Sequence, residues 1–236
     1  MGSCMFLDLS DSLLELSNRI WGLMEKTAEN ANLRVEDQDA RLVALSGMQE
    51  AVLSCAFWLH TYYSIAEYHR DKSMVLKYAH SNLPLEKTEN IMLNQIRLGL
   101  VVFFHFKLEQ FLSSLLNKIS NKNVQGIEHI FTGLSQEIGL NDVKKKAGII
   151  KAFSSIRNSL HNNGIHIHPS FSIEIDGISY EFTKDGVVQC ASLGHCINLI
   201  QAIISIIEDI LESAKIQGLK GIIPESYSEW VINQPV

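Results

Sequence analysis

The residues in this chain whose types and spacing could do chemistry fall in one run, Arg157-Asn158-Ser159-Leu160-His161-Asn162-Asn163-Gly164. Arg157 and His161 stand four apart, so on a helix they share one side, at the edge of the stripe formed by Phe153, Ile156 and Leu160. A guanidinium can grip a phosphate with two parallel hydrogen bonds and stabilise charge that develops on it. An imidazole that titrates near neutrality can take or give a proton. Together they suit attack of a ribose 2′-hydroxyl on the adjacent phosphate, which requires no metal and no cofactor. Asn158 is expected to project further towards water. The competing explanation is structural: Arg, Asn and His near a helix C-terminus complement the macrodipole and bond the last carbonyls. Ser159 lies on the same helix with no orienting acid evident, so it is no credible nucleophile.

Other chemistry-bearing residues surround that run. From 143 to 173 there is no acid, while Lys144, Lys145, Lys146, Lys151 and Arg157 supply five positive charges that would draw in an RNA strand. A solvated helix start is the plainer account of the same lysines. His161, His166 and His168 offer a weak alternative as metal ligands, which Cys190, His195 and Cys196 could approach in the fold. His105 and Glu109 stand four apart in the most apolar segment. The Glu109 carboxylate, reaching across to Arg157, would satisfy both groups and orient the arginine; otherwise both residues lie on a narrow polar edge. Glycine-rich phosphate loops, nucleophile elbows and dinucleotide fingerprints do not occur.

The run from Arg157 to Gly164, late in a helical chain, resembles the signature of the HEPN superfamily. Those small helical domains include many metal-independent ribonucleases of toxin-antitoxin, abortive-infection and CRISPR defence systems. Their active site is typically composite, formed where two such helices meet across a homodimer. The resemblance implies that Arg157 binds phosphate, His161 is the catalytic histidine and Asn158 is the accompanying polar residue. It also implies RNA and a second copy of the chain as partners. Only three residues separate Arg157 from His161, where the family pattern has four to six. That spacing, with a net charge of -6, favours the alternative: a non-catalytic interaction or regulatory module with a protein partner.

The elements that must position these residues are mostly helical. Of 236 residues, 46% are hydrophobic and only four are proline, which suits long helices around a large core. The periodicity predicts helices over 8–31 (capped by Asp8 or Ser10), 39–70, 85–119, 124–138, about 141–162 (capped by Asn141) and 192–216. Leu42, Leu45, Val52, Leu59 and Tyr63 are core candidates in the second, and Ser81 to Pro84 punctuates the chain after it. The third helix is apolar nearly all round, which places it in the middle of the bundle. Asp176-Gly177 suits a two-residue turn pairing Ile175 with Ile178, Ile173 with Tyr180 and Phe171 with Phe182, with 187–190 a candidate third strand. The expected architecture is all-α: one domain, 1–236, an up-and-down bundle with a core over 8–216, a β-hairpin over 171–190 before the last long helix, and a loosely packed tail over 217–236. Four cysteines without paired short spacing suit reduced thiols. Without a signal peptide or myristoylation pattern, and with Glu109, Glu208 and Asp209 inside the apolar stretches, the expectation is a cytoplasmic protein that spans no membrane.

Overall fold

The computed structural model describes residues 2–68 and 85–224. The expectations for Arg70, the side chain of Tyr63, Ser81 to Pro84 and the tail from 225 onward lie outside those residues. Among the described residues seven helices form: α1 (Gly2–Ala31), α2 (Ala40–Tyr68), α3 (Leu85–Ser120), α4 (Ile127–Ile138), α5 (Val143–His161), α6 (Leu193–Glu212) and the single turn α7 (Ala214–Gln217). Four short strands lie between α5 and α6: β1 (Ile165–His166), β2 (Phe171–Ile175), β3 (Ile178–Phe182) and β4 (Gly186–Val187). The molecule is an all-α bundle with a small β-hairpin before its last long helix.

Leu13, Leu16, Ile20 and Leu23 recur at three- and four-residue spacing, and all are buried where α1 packs along α2. The α1 helix begins earlier than the sequence suggests. Ser10 is buried inside it and donates to the Ala56 carbonyl at 3.3 Å, so it is an interhelical tie and not a cap. Helices α4 and α5 pack on α3, and α6 closes the bundle against α1 and α5. Ile197, Ile200, Ile204 and Ile207 form the α6 stripe, and Ser192 caps it by accepting from the His195 N–H. Phe153 joins α5 to α3, edge-on to Phe104 with ring centroids 5.8 Å apart and stacked at 6.0 Å on His105.

Four expectations are corrected. Helix α3 does not run through the middle: Ile91, Leu98, Phe103 and Phe106 are exposed on its outer side, Phe103 by 64%. The α5 N-cap is Asp142, in left-handed backbone at φ 53°, and not Asn141. The third strand does not extend the hairpin; β4 pairs with β1 as a separate two-stranded ladder. Finally, the tail is anchored as far as it is described. Asp39 and Arg41 are fully buried; Asp39 Oδ1 accepts from Arg41 Nε at 2.8 Å and Oδ2 accepts from the Ile223 N–H at 2.7 Å. The Arg41 fork donates to the carbonyls of Leu219 (3.2 Å) and Gly221 (2.9 Å). A buried ion pair survives only when its remaining polar atoms are satisfied in this way.

The hairpin follows its alternation. Phe171 pairs with Phe182, Ile173 with Tyr180 and Ile175 with Ile178, around a turn with φ of 51° and 78° at Asp176 and Gly177. Ile175, Tyr180 and Phe182 are buried, while Ser172, Glu174, Ser179 and Glu181 face outward. Tyr180 fixes the hairpin to α6 by donating to Asn198 Oδ1 at 2.7 Å. By length and composition, Ala40–Tyr62, Asn90–Ser120 and Leu193–Glu212 are apolar enough to cross a membrane. The acids within α3 and α6 therefore do not exclude spans, contrary to the sequence argument.

Candidate functional site

The end of α5 is built by its own sequence. Asn162 N–H and Gly164 N–H both donate to the Ser159 carbonyl, and Asn162 Nδ2 donates to the Asn158 carbonyl at 3.0 Å. Asn163 and Gly164 take left-handed backbone, φ 53° and 83°, which Asn and Gly tolerate best. Capping thus accounts for Ser159, Asn162, Asn163 and Gly164. The hydrogen bonds of the cap do not involve the side chains of Arg157 and His161.

Arg157 is half-buried, and its Nη1 donates to Asn158 Oδ1 at 3.0 Å. Its Nε is buried with no hydrogen-bond partner. Among the described residues no carboxylate pairs with it, so the expected tie to Glu109 is not made. Glu109 lies 40° round α3 from His105, and it is the His105 imidazole that feels the arginine's charge. That imidazole is 5% exposed, and burial first, then the Arg157 charge, pulls its pKa down to about 4. It is therefore neutral at pH 7, with its Nε2 buried and unpartnered. His161, one turn beyond Arg157, is exposed at the last residue of α5. Asn158 does not point to water as expected: it is half-buried, orients Arg157, and lines a cleft.

That cleft, about 350 Å³, lies between α5 and the start of α4. From α5 it takes Lys151, Ser154, Ser155 and Asn158, and from α4 the turn Gly126 to His129, with His168 and Pro169 at its rim. The four α5 residues stand at i, i+3, i+4 and i+7, one helical face. This spacing was visible in the sequence. Its approach to Gly126 was not, because that depends on how α4 packs on α5.

The predicted basic stretch is dispersed. Lys146 forms an ion pair with Asp209 at 2.7 Å, and Lys151 lies over the Phe171 ring at 4.3 Å. Lys144 and Lys145 are exposed on different sides of α5, since successive residues diverge by 100°. Nor do the histidines form a metal site. His166 is buried and its Nε2 donates to the Pro169 carbonyl at 3.2 Å, while His161 and His168 are exposed. Among the described residues no three His, Cys, Asp or Glu side chains converge on a common point. His195 faces Ser192 and Tyr180 instead. Burial pushes the Cys55 and Cys196 thiols up to about 12, so neither is a nucleophile. A larger, apolar groove of about 680 Å³ between α2 and α3 includes Cys55, Trp58 and Phe103 but none of the residues named at Arg157. Compared with known proteins, this chain matches no family model, no curated protein and no solved structure.

Proposed function

We propose that this chain is a HEPN-like domain acting as a metal-independent endoribonuclease or RNA-binding effector of a bacterial defence or toxin system, in the cytoplasm. One observation carries the reading: Arg157 is half-buried, has no acid partner among the described residues, and keeps one buried nitrogen unbonded near an uncharged imidazole. A cation withdrawn from water without a counter-charge is poised for an external anion. A phosphodiester supplies that charge. Asn158 holds the fork, and exposed His161 is free to move the proton of the attacking 2′-hydroxyl or of the leaving 5′-oxygen. In the reading a second copy completes the site across a homodimer, as the HEPN resemblance implies. Neutral His105 is a supporting residue in this reading; Glu109 makes no ion pair with Arg157 among the described residues.

The test is incubation of purified protein with labelled RNA in EDTA. Cleavage to 2′,3′-cyclic phosphate and 5′-hydroxyl ends is expected, lowered about 100-fold or more by Arg157→Ala and by His161→Ala. Unchanged activity in both variants, or no cleavage of any RNA, overturns it. The second reading, a non-catalytic interaction module, is favoured by the three-residue spacing between Arg157 and His161 and by the net charge of -6.

A further inference from the structure

The cleft between α5 and the start of α4 gathers several hydrogen-bond donors and one ammonium on otherwise apolar walls. Helix α4 begins at Gly126, which has no side chain to cap it, and no side-chain cap is made. The N–H groups of His129 and Ile130 bond to the Gly126 carbonyl, while those of Ile127 and Glu128 have no acceptor among the described residues. Two free N–H groups at the positive end of a twelve-residue helix therefore open on the cleft.

A second observation is independent of the helix end. Ser154 and Ser155 are only 6% and 5% exposed, both line the cleft, and neither hydroxyl has a hydrogen-bond partner. A helix interior that is buried is normally filled by alanine or a larger apolar residue. Both hydroxyls reach the cleft and are unpartnered among the described residues, so they are available to a ligand. Around them stand further donors. Asn158 accepts from Arg157 through Oδ1, which leaves its amide N–H₂ for the cleft. The Lys151 ammonium lies over the Phe171 ring, and His129 and His168 stand exposed at the edge. One carboxylate, that of exposed Glu128, also lines the cleft.

We infer that this cleft binds a phosphate group, held by the Ile127 and Glu128 N–H groups, the Ser154 and Ser155 hydroxyls and the Lys151 ammonium. Because Asn158 belongs to both the cleft and the Arg157 site, the bound phosphate is a neighbour of the scissile one on the same RNA strand. That part rests on the ribonuclease reading; the phosphate site itself does not. The site sets the register of the strand, placing one particular linkage at Arg157.

The probe is inorganic phosphate, titrated by calorimetry into the full-length protein at constant ionic strength, with chloride as control. Saturable binding is expected, weakened at least tenfold by the double variant Ser154→Ala/Ser155→Ala and by Lys151→Met. Since neither serine hydroxyl has a partner to lose, the double variant should fold normally; Lys151→Met provides a second reading at the half-buried rim. No saturable binding to the wild type, or binding indifferent to both variants, overturns the inference. A 5′-phosphorylated uridine dinucleotide binding more tightly than inorganic phosphate identifies a strand as the source; equal affinity removes the strand register and leaves a free-phosphate site. If RNA is cleaved but phosphate does not bind, this inference fails while the ribonuclease reading stands. If phosphate binds through Ser154 and Ser155 but no RNA is cut, the reverse holds.

Discussion

Acidification should weaken this fold through His105, by an amount the structure allows to be worked out. The imidazole lies 5% exposed against Phe153 beside the Arg157 guanidinium, and its pKa falls from 6.5 to about 4. In the unfolded chain it returns to its ordinary value and takes up a proton that the native state refuses. The native state therefore enjoys the full benefit above pH 6.5, loses it progressively as pH falls, and reaches a floor near pH 4. At about 1.4 kcal/mol per pH unit, the interval bounds the loss at about 3 kcal/mol, of which about 2 falls between pH 7 and 5. Other groups also titrate in that range, so the measurement is a difference. Urea unfolding of wild type and His105→Phe is followed by circular dichroism at pH 7, 6 and 5. Phenylalanine keeps the stack on Phe153 and cannot titrate. The variant should be less sensitive to acid by about 2 kcal/mol over that span. Parallel pH dependences in the two proteins would refute the argument, because they would mean that His105 charges freely while folded.

Two further outcomes follow from the packing. Arg41→Met strands the Asp39 carboxylate in the interior and removes the donor to the Leu219 and Gly221 carbonyls, so stability should fall by about 3–5 kcal/mol in the same denaturation assay. A loss below about 1 kcal/mol would show that water reaches the pair. Gly177→Ala places a side chain at φ 78° in the hairpin turn, and a loss of about 1–2 kcal/mol is expected by thermal unfolding.

What could be read from the sequence was whatever local periodicity dictates. The hairpin register is legible because Asp-Gly allows one tight turn and a period of two admits one buried face, so Ile175, Tyr180 and Phe182 had a single solution. Helix α6 is legible for the same reason, its isoleucines recurring at helical spacing. Helix α3 was misplaced because apolar residues on all sides carry no directional information; Phe103 faces outward although its type argues for the interior. At the site, the run from Arg157 to His161 was found as a string, with its cap. The expected ion pair of Glu109 with Arg157 is not made, because His105 and Glu109 stand on one side of α3 and only packing decides which of them lies near the arginine's charge. Val187 pairing with Ile165, across a gap of more than twenty residues, was likewise beyond any local rule.

The clamp at Asp39 and Arg41 has a consequence for how the molecule is made. Its halves stand 178 to 184 residues apart in the chain. During synthesis the first two helices emerge and find each other early, yet their junction carries a carboxylate and a guanidinium whose remaining acceptors and donors have not been translated. Until residues 219–223 arrive, that corner must stay wet. Closing that corner thus waits for a short stretch translated long after it, and a ribosome that stalls before residues 219–223 leaves a bundle unable to shut this seam.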